Sequence, residues 1–434
     1  MIEPFSGPGP ESLWNSTANP APQFTRLETD VRAEVAIVGA GYSGLSAAHA
    51  LQKRGIRSVV LDANSVGWGA SGRNGGVVTS KFRITFPEIA RVYDLDTARR
   101  MHRIAHDAVH AVEELIAEFD IESAQFERTG NLRCAHTERS HAAISTEAEW
   151  LRRELGDGTL SLLSRAEVAE ETGSQAFVGG VLISGSGTIH PLNYVRGIAA
   201  GLAARGVTIY EGSPVKRITR VAEGVLIETP AGTVQARQAI IATDAYSDLT
   251  PATRYFQSTI IPFRSAIIAT ECLPADIGAK LMVRRRSYTE TRRMMKWFRK
   301  VDNRVLIGGR GAFGKEDSPS GFHALQRDMI SLFPDLAQVG ISFKWSGFVG
   351  MTLGQLPHVG RLDDRICFCL GYNGAGVAMA TLLGQYAAAF TVGETPDVGL
   401  LDAARLKSVP FYPLREPGVR LAAAWYQFLD RIGS

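Results

Sequence analysis

The chain has 434 residues, of which 45% are hydrophobic, so it is long enough for more than one core and we expect two interleaved domains. Its 47 basic and 44 acidic side chains leave a net charge of +3, which does not by itself predict a nucleic-acid or membrane partner. Four scattered cysteines are too few for a disulfide scaffold and fit a reducing compartment.

The N-terminal residues 1–30 contain five prolines and little periodicity, which predicts an extended arm with Trp14 as its packing anchor. The first ten residues lack a basic segment followed by an apolar one, so we expect no secretory signal and a cytoplasmic protein. The longest uncharged stretch starts at Gly376 and contains polar residues such as Thr381 and Gln385. We therefore expect a buried helix there and no transmembrane segment.

Residues 34–62 have the pattern of a strand, a glycine turn, a helix and a second strand. Gly39, Gly41 and Gly44 form G-x-G-x-x-G, which makes the turn, lets the backbone approach a pyrophosphate and lets the helix pack closely. Asp62 ends the second strand, where a carboxylate accepts hydrogen bonds from a ribose. The combination predicts a dinucleotide site, and the alternative is a glycine turn that binds no nucleotide.

A second glycine-rich run follows at residues 67–76, with the sequence G-W-G-A-S-G-R-N-G-G. Ordering so many glycines costs backbone entropy, which close approach of the backbone to a ligand would explain. The alternative is a mobile surface loop. The dinucleotide motif alone does not distinguish a nicotinamide cofactor from a flavin.

Apolar side chains recur at three- and four-residue spacings from residue 95 to 120, which predicts an amphipathic helix. His102, His106 and His110 repeat every four residues along this helix. Metal ligation would need further ligands in a closed geometry, and the sequence shows none. We therefore expect a solvated or cap-packed stripe and no metal site.

Residues 251–344 have the pattern of a second domain built largely on an antiparallel sheet. Their most basic stretch, residues 284–300, would place its charges on both faces of a strand, so it predicts a charged solvent face rather than one basic patch. The alternative is that one or two of these cations, with Tyr288 or Trp297, line a ligand cavity.

Four ordered blocks make the sequence resemble a known enzyme family. They are S-L-W-x-x-T-A at residues 12–18, the glycine-rich run at 67–76, I-I-A-T-D-A-Y at 240–246 and G-Y-N-G-A-G at 371–376. In these blocks the chain resembles the FAD-dependent D-amino-acid oxidase, glycine oxidase and sarcosine oxidase superfamily, and especially its gamma-glutamylputrescine-oxidase-like branch. The resemblance extends over most of the chain.

The resemblance implies an α/β fold in which a Rossmann-type FAD-binding domain, similar to that of glutathione reductase, is interleaved with an α+β substrate domain built on an antiparallel sheet. The FAD-binding domain would comprise residues 31–90, 160–250 and 345–410. The substrate domain would comprise residues 91–159 and 251–344, and residues 411–434 would form a C-terminal helix.

The resemblance also implies the site residues. The late glycine turn would lie under the pyrimidine end of the flavin, where N–H groups stabilise the negative charge of the reduced state. The cofactor-binding candidates are Gly39, Gly41, Tyr42, Ser43, Gly44, Asp62, Ala63, Ala70, Ser71, Gly72, Arg73, Asn74, Gly75, Gly76, Val215, Ala242, Thr243, Gly371, Tyr372, Asn373, Gly374, Gly376 and Val377. The catalytic or pocket candidates are Asn74, Tyr288, Arg299, Trp345 and Asn373.

The implied reaction is oxidation of the C–N bond of a small amine or amino acid by hydride transfer to flavin N5, which gives an imine that hydrolyses. Three positions depart from the pattern of relatives. Ala378 replaces a lysine that anchors the substrate carboxylate, and Leu306 replaces a lysine that promotes reaction with oxygen. Residues 348–351 lack the cysteine to which some relatives attach FAD, so we expect non-covalent FAD.

Two alternatives remain at this point. Because of Leu306, an enzyme of the same fold could be a dehydrogenase that passes electrons to a quinone or carrier protein instead of oxygen. The arginines between residues 284 and 293 motivate the other alternative, a flavin-dependent RNA-modification protein. The near-neutral charge balance and the lack of an RNA-binding motif argue against a nucleic-acid partner.

Overall fold

The computed structural model describes residues 11–247, 250–312 and 319–414, together with residues 417, 418, 421 and 425. The first ten residues of the predicted arm and most of the predicted C-terminal helix lie outside the described residues. The α-helices are α1 (Leu13–Thr17), α2 (Tyr42–Lys53), α3 (Phe86–Val92), α4 (Leu95–Glu118), α5 (Glu138–Leu155), α6 (Arg165–Thr172), α7 (Pro191–Ala204), α8 (Ala275–Lys280), α9 (Pro319–Leu332) and α10 (Gly376–Thr391).

The strands form two large mixed sheets and one short two-stranded sheet. They are β1 (Val31–Val38), β2 (Ser58–Leu61), β3 (Val77–Val78), β4 (Asn131–Ala135), β5 (Leu160–Ser164), β6 (Gly179–Ile183), β7 (Gly187–Thr188), β8 (Thr208–Tyr210), β9 (Arg217–Val221), β10 (Gly224–Glu228), β11 (Thr233–Ile241), β12 (Ile261–Thr270), β13 (Ser287–Glu290), β14 (Lys296–Val301), β15 (Arg304–Ala312), β16 (Ile341–Met351), β17 (His358–Arg361) and β18 (Ile366–Leu370).

The first sheet has the order β17-β18-β11-β1-β2-β8, with the β9–β10 hairpin attached to β11. Its central strands pair in parallel, from β18 through β11 and β1 to β2 and β8. The central strands are buried on both faces, since β1 places Val35 and Ile37 in one hydrophobic core and Ala36 and Val38 in another. Strands β2 and β18 are accordingly buried along their whole length. The predicted Rossmann-type architecture is confirmed.

The second sheet has the order β16-β12-β15-β14-β13-β4-β6-β5 and is antiparallel except where β13 pairs with β4. The set of strands in this sheet does not follow the predicted domain boundaries. Strands β5 and β6 fall in the range 160–250 that was assigned to the FAD-binding domain, yet β6 pairs with β4 of the second sheet. The boundary at residue 345 also falls inside β16, which pairs with β12 along its length. Strand partners are distant in sequence, so local patterns did not reveal them.

Helix α10 packs against both α2 and α4 and is buried along most of its length. Its Gly384 lies so close to α2 that a Cβ atom there would overlap the carbonyl oxygen of Ser43. Ser46 of α2 donates a hydrogen bond of 2.6 Å to the Thr381 carbonyl. The helix expected after the second glycine turn is therefore a buried core helix. Within the described residues, no helix is long and apolar enough to cross a membrane.

The N-terminal arm is attached to the core by Trp14 and His190. Trp14 is fully buried, and its indole Nε1 donates to the carbonyl of Asn74 at 2.8 Å. His190 caps α7 because its Nδ1 accepts from the Asn193 N–H at 3.2 Å, and its Nε2 lies 3.1 Å from Thr17 Oγ1. Since Nδ1 faces a donor, the neutral imidazole suits this site. Burial, with a smaller contribution from the nearby Arg299 and Arg196, lowers the pKa of His190 to about 4.

The capping role of His190 predicts a specific acid sensitivity. An unfolded chain binds a proton at His190 below about pH 6.5, whereas the folded chain does so only below about pH 4, so stability falls as pH falls through this window. The loss should be at most about 3 kcal/mol. We expect His190→Asn, which keeps a capping acceptor, to reduce the difference in urea midpoint between pH 7 and pH 4.5. His110→Asn, at an exposed position, should leave that difference unchanged.

Candidate active site

A cavity of about 800 Å³ lies between the two large sheets. Residues after β1, β2 and β11, at the carboxyl ends of parallel strands, form one side of it, where open α/β sheets bind ligands. Side chains from β12, β13, β14 and β16 form the opposite side. The cavity therefore connects the predicted dinucleotide turn with the face of the second sheet.

The first glycine turn has the close packing that its motif predicts. A Cβ atom at Gly44 would overlap the carbonyl oxygen of Gly39, so only glycine lets α2 lie this close to the turn. The cap residue Gly41 has no side chain, and α2 begins at the cavity with Tyr42 donating its N–H to Ser71 Oγ at 3.1 Å. Helix α2 thus presents its positive end to the cavity, where a pyrophosphate is stabilised.

Asp62 lies at the cavity directly after β2. Its two carboxylate oxygens accept backbone N–H groups of Ala40 and Asn64, each at 2.8 Å. Burial raises the pKa of Asp62, and these two hydrogen bonds oppose the shift. Each oxygen keeps a further lone pair, so the side chain is fixed in place and still able to accept a ribose hydroxyl. These residues fit the adenosine half of FAD.

The glycine-rich run at 67–76 is held by the side chain of Asn74. Its amide nitrogen donates to Tyr42 Oη, to the Ala70 carbonyl and to the Ser71 carbonyl at 3.0–3.1 Å, and its oxygen accepts the Gly76 N–H at 2.8 Å. This hydrogen-bonded order favours the ligand-contacting alternative over the mobile loop. Asn74 lines the cavity, but its polar atoms are engaged within the loop.

A buried carboxylate, Asp244, holds the second glycine turn. Its Oδ1 accepts the Gly371 N–H at 2.6 Å, and it also accepts N–H groups of Ala245 and Gly350. Burial raises the pKa of Asp244 to about 6 despite these bonds. Asn373 adds a second link, since its oxygen accepts the Thr352 N–H at 3.0 Å. The turn before α10 is therefore fixed to the end of β16.

Most of the predicted cofactor-binding residues line the cavity, and four glycines do not. A Cβ atom on any of the four would overlap a neighbouring group, so they are needed for packing behind the wall. They are Gly44 against Gly39, Gly72 against Gly67, Gly76 against Ile189 and Gly371 against Thr352.

Three of the five catalytic candidates also lie outside the cavity lining, which corrects their expected position. Tyr288 faces the hydrophobic core between the second sheet and α9, where it stacks on Phe298 with ring centroids 5.2 Å apart. Arg299 is buried and donates to the carbonyls of Gly75, Gly76 and Ile189. Trp345 is buried and donates to the Arg73 carbonyl at 3.0 Å. Only Asn74 and Asn373 of the five line the cavity.

Aromatic residues form another part of the cavity wall, in contact with the glycine-rich run at 67–76. The ring of Trp297 fits between two glycines, because a Cβ atom at Gly75 would lie 2.6 Å from it and one at Gly308 would overlap it. Tyr246 packs edge-on against Phe348 with centroids 5.6 Å apart. The pattern of the second domain had suggested Trp297 as a lining residue, and Tyr246 ends the third block of the resemblance. Phe348 had no distinguishing signal.

One part of the cavity lining is charged. Arg133 donates to Glu147 at 2.7 Å, and the fully buried Glu290 pairs with Arg292 and with Lys296. Lys81 lines the same part and forms no ion pair with any described residue. Burial, with Arg133 nearby, lowers the pKa of Lys81 to about 8, while Glu147 opposes the shift. Sequence reasoning missed Lys81, which lies in an irregular segment without a motif.

The basic stretch at 284–300 does not form one basic surface. Arg286 pairs with Glu171 at 2.8 Å, and Lys296 pairs with Glu290. Lys300 donates to two backbone carbonyls at 2.7 Å. The carboxylates of Glu171 and Glu290 therefore neutralise part of the positive charge of this stretch.

The three histidines of α4 separate into a pair and a single residue. His102 and His106 lie together beside Asp157, whereas His110 is exposed and contacts Glu113 at 3.2 Å. The expected solvated stripe therefore describes His110 and not the other two.

The fold and the cavity define a flavoenzyme. Residues 34–390 match the family of FAD dependent oxidoreductases known as DAO, and the chain belongs to this family. The described residues that line the cavity fit a bound FAD.

Relatives of known description span the whole chain. It is 31% identical to gamma-glutamylputrescine oxidoreductase of Escherichia coli over 97% of this chain and 98% of that protein. It is 29% identical to the probable oxidoreductase OrdL of Haemophilus influenzae over 94% of each chain. The solved structure of glycine oxidase from Geobacillus kaustophilus superposes with a TM-score of 0.71 and 22% identity, covering 87% of this chain and 99% of that one. The predicted family, fold and cofactor are confirmed.

Proposed function

We propose that this protein oxidises the C–N bond of a small amine or amino acid to an imine, which water hydrolyses to a carbonyl compound and a free amine or ammonia. The observation that carries the proposal is the cavity, whose lining joins the glycine turns to aromatic and charged side chains of the second sheet. The names of the relatives, gamma-glutamylputrescine oxidoreductase and glycine oxidase, support the same reaction class. Bound FAD supplies the two-electron acceptor.

The side chains of this chain position the substrate and exclude water. The rings of Trp297, Tyr246 and Phe348 form an apolar wall against which the carbon chain of a substrate packs. An apolar wall also keeps water from the imine until it leaves the cavity. The charged groups of the lining, among them Lys81, recognise a second polar group of the substrate rather than the reacting carbon.

The arrangement of charge narrows the substrate class. Ala378 is buried on α10 and Leu306 is fully buried on β15, so neither position offers a cation to a substrate carboxylate. Lys81, which lines the cavity, offers one. We infer that the substrate is an amine whose other end carries a carboxylate or an amino-acid group. A glutamyl group joined to a diamine, as named for the Escherichia coli relative, has this form.

We also propose that FAD is held non-covalently. Neither a cysteine nor a histidine is among the described residues that line the cavity, and Cys134, Cys367 and Cys369 are buried elsewhere. We expect acid precipitation of the purified protein to release the flavin into the supernatant. A yellow protein pellet would show a covalent bond instead.

The proposed function predicts selective reduction of the bound flavin. Under anaerobic conditions, an amine that carries a distal carboxylate should bleach the visible flavin band, and a simple alkylamine of equal length should do so much more slowly. A protein with bound FAD that no amine or amino acid bleaches would overturn the proposed reaction. After bleaching, admission of oxygen separates an oxidase, whose band returns rapidly, from a dehydrogenase that needs another acceptor.

Lys81 provides the test of the substrate class. Lys81→Met should raise KM for the carboxylate-bearing amine by at least about tenfold, the cost of one charged hydrogen bond, and change kcat less than about threefold. Because the pKa of Lys81 is about 8, wild-type KM should rise as pH passes 8, and the variant should lack this rise. Lys53→Met, at an exposed lysine, is the control. An equal effect of Lys81→Met on alkylamines would indicate a structural role.

A further inference from the structure

Two histidines of α4 and one aspartate converge at a site that the proposed oxidation does not use. His102 and His106 lie four residues apart, so their rings project from the same face of α4. His102 Nε2 is 3.0 Å from Asp157 Oδ2 and 3.1 Å from His106 Nε2, and His106 Nε2 is 3.8 Å from Asp157 Oδ2. Three atoms that each offer a lone pair therefore face one point.

These separations match the spacing of ligands around a small divalent ion. Zinc binds imidazole nitrogen and carboxylate oxygen at about 2.0–2.1 Å, and tetrahedral geometry at that distance places ligand atoms roughly 3.3 Å apart. The three observed separations lie on both sides of this value. Two histidines at i and i+4 on one helix are also a known zinc-binding spacing.

The local fold holds Asp157 in the orientation that ligation requires. Gly156 caps the C-terminal end of α5, and its φ of +66° turns the chain back. The Asp157 N–H then donates to the Leu151 carbonyl. Asp157 Oδ1 accepts both the N–H and the hydroxyl of Thr159, at 2.9 and 2.7 Å. Only Oδ2 is left to face the histidines, and such outer contacts are typical of metal ligands.

We propose that His102, His106 and Asp157 bind a divalent transition-metal ion of the zinc type, at a site beside the cavity, whose lining includes Asp157. Two imidazoles and one carboxylate supply three protein ligands, which leaves a position for water. The ion would join α4 to the segment between α5 and β5. Phe86 packs edge-on against His102 at 5.1 Å and also lines the cavity, so the ion would stabilise that wall.

A hydrogen-bonded chain from Asp157 through His102 to His106 is the alternative, and metal binding distinguishes the two. The FAD-loaded protein is first treated with a chelator and then dialysed against ZnCl₂, and bound zinc is measured by elemental analysis. We expect one zinc ion per chain. His106→Gln should weaken binding by at least about 100-fold, because losing even an outer partner of a metal ligand costs 10–100-fold. His110→Gln, on the same helix but exposed, should bind zinc as the wild type does.

Thermal unfolding provides a second readout that does not depend on enzyme activity. Zinc should raise the melting temperature of the wild type and of His110→Gln, since an ion that binds only the folded state stabilises it. Without zinc, His106→Gln should melt as the wild type does, and zinc should not raise its melting temperature. If His106→Gln does not fold, Asp157→Asn, which keeps the size of the side chain, replaces it as the variant that should not be stabilised by zinc. No zinc bound to the wild type at micromolar concentrations, or equal binding by all variants, would overturn the proposal.

Discussion

The buried carboxylate of Asp244 connects the parts of the chain on which the cavity depends. It follows β11 of the first sheet and accepts N–H groups from Gly350 at the end of β16 and from Gly371 in the second glycine turn. Three segments distant in sequence therefore meet on one side chain. A carboxylate buried this deeply costs free energy, which its raised pKa reflects, and the three hydrogen bonds offset that cost. The two sheets are fixed relative to each other where FAD and substrate would meet.

The FAD-binding half of the site was predictable because its signals are local. Gly39, Gly41 and Asp62 lie within one strand, turn, helix and strand unit, so sequence spacing alone determined their relative positions. The substrate half depends on which face of a strand points inward. On β13, Tyr288 faces the hydrophobic core between the second sheet and α9, whereas Thr289 and Glu290 line the cavity. The sequence of β13, Ser-Tyr-Thr-Glu, does not alternate regularly between polar and apolar residues, because both faces of this strand are buried. Nothing in the sequence therefore indicated which face points into the cavity.

Glycine in this chain serves two purposes that a sequence motif does not separate. Gly41 and Gly75 line the cavity, where a missing side chain leaves room for a ligand or an aromatic ring. Gly44 and Gly76 lie behind the wall, where a side chain would collide with a neighbouring carbonyl. Both kinds are needed for the same site, since the lining glycines are in position only if the packing glycines let the backbone approach.

The position of positive charge has a further consequence for the substrate proposed above. Residue 378 lies in the first turn of α10, directly after the second glycine turn, and its side chain is buried and is not among the residues that line the cavity. This position is alanine, whereas Lys81 lines the cavity and forms no ion pair with any described residue. Lys81 lies near Arg133 of β4 in the second sheet, whereas the glycine turns follow strands of the first sheet. The proposed contact of a carboxylate with Lys81 would therefore favour a substrate whose amine lies several bonds from its acidic group, such as an extended acyl diamine, over a short α-amino acid.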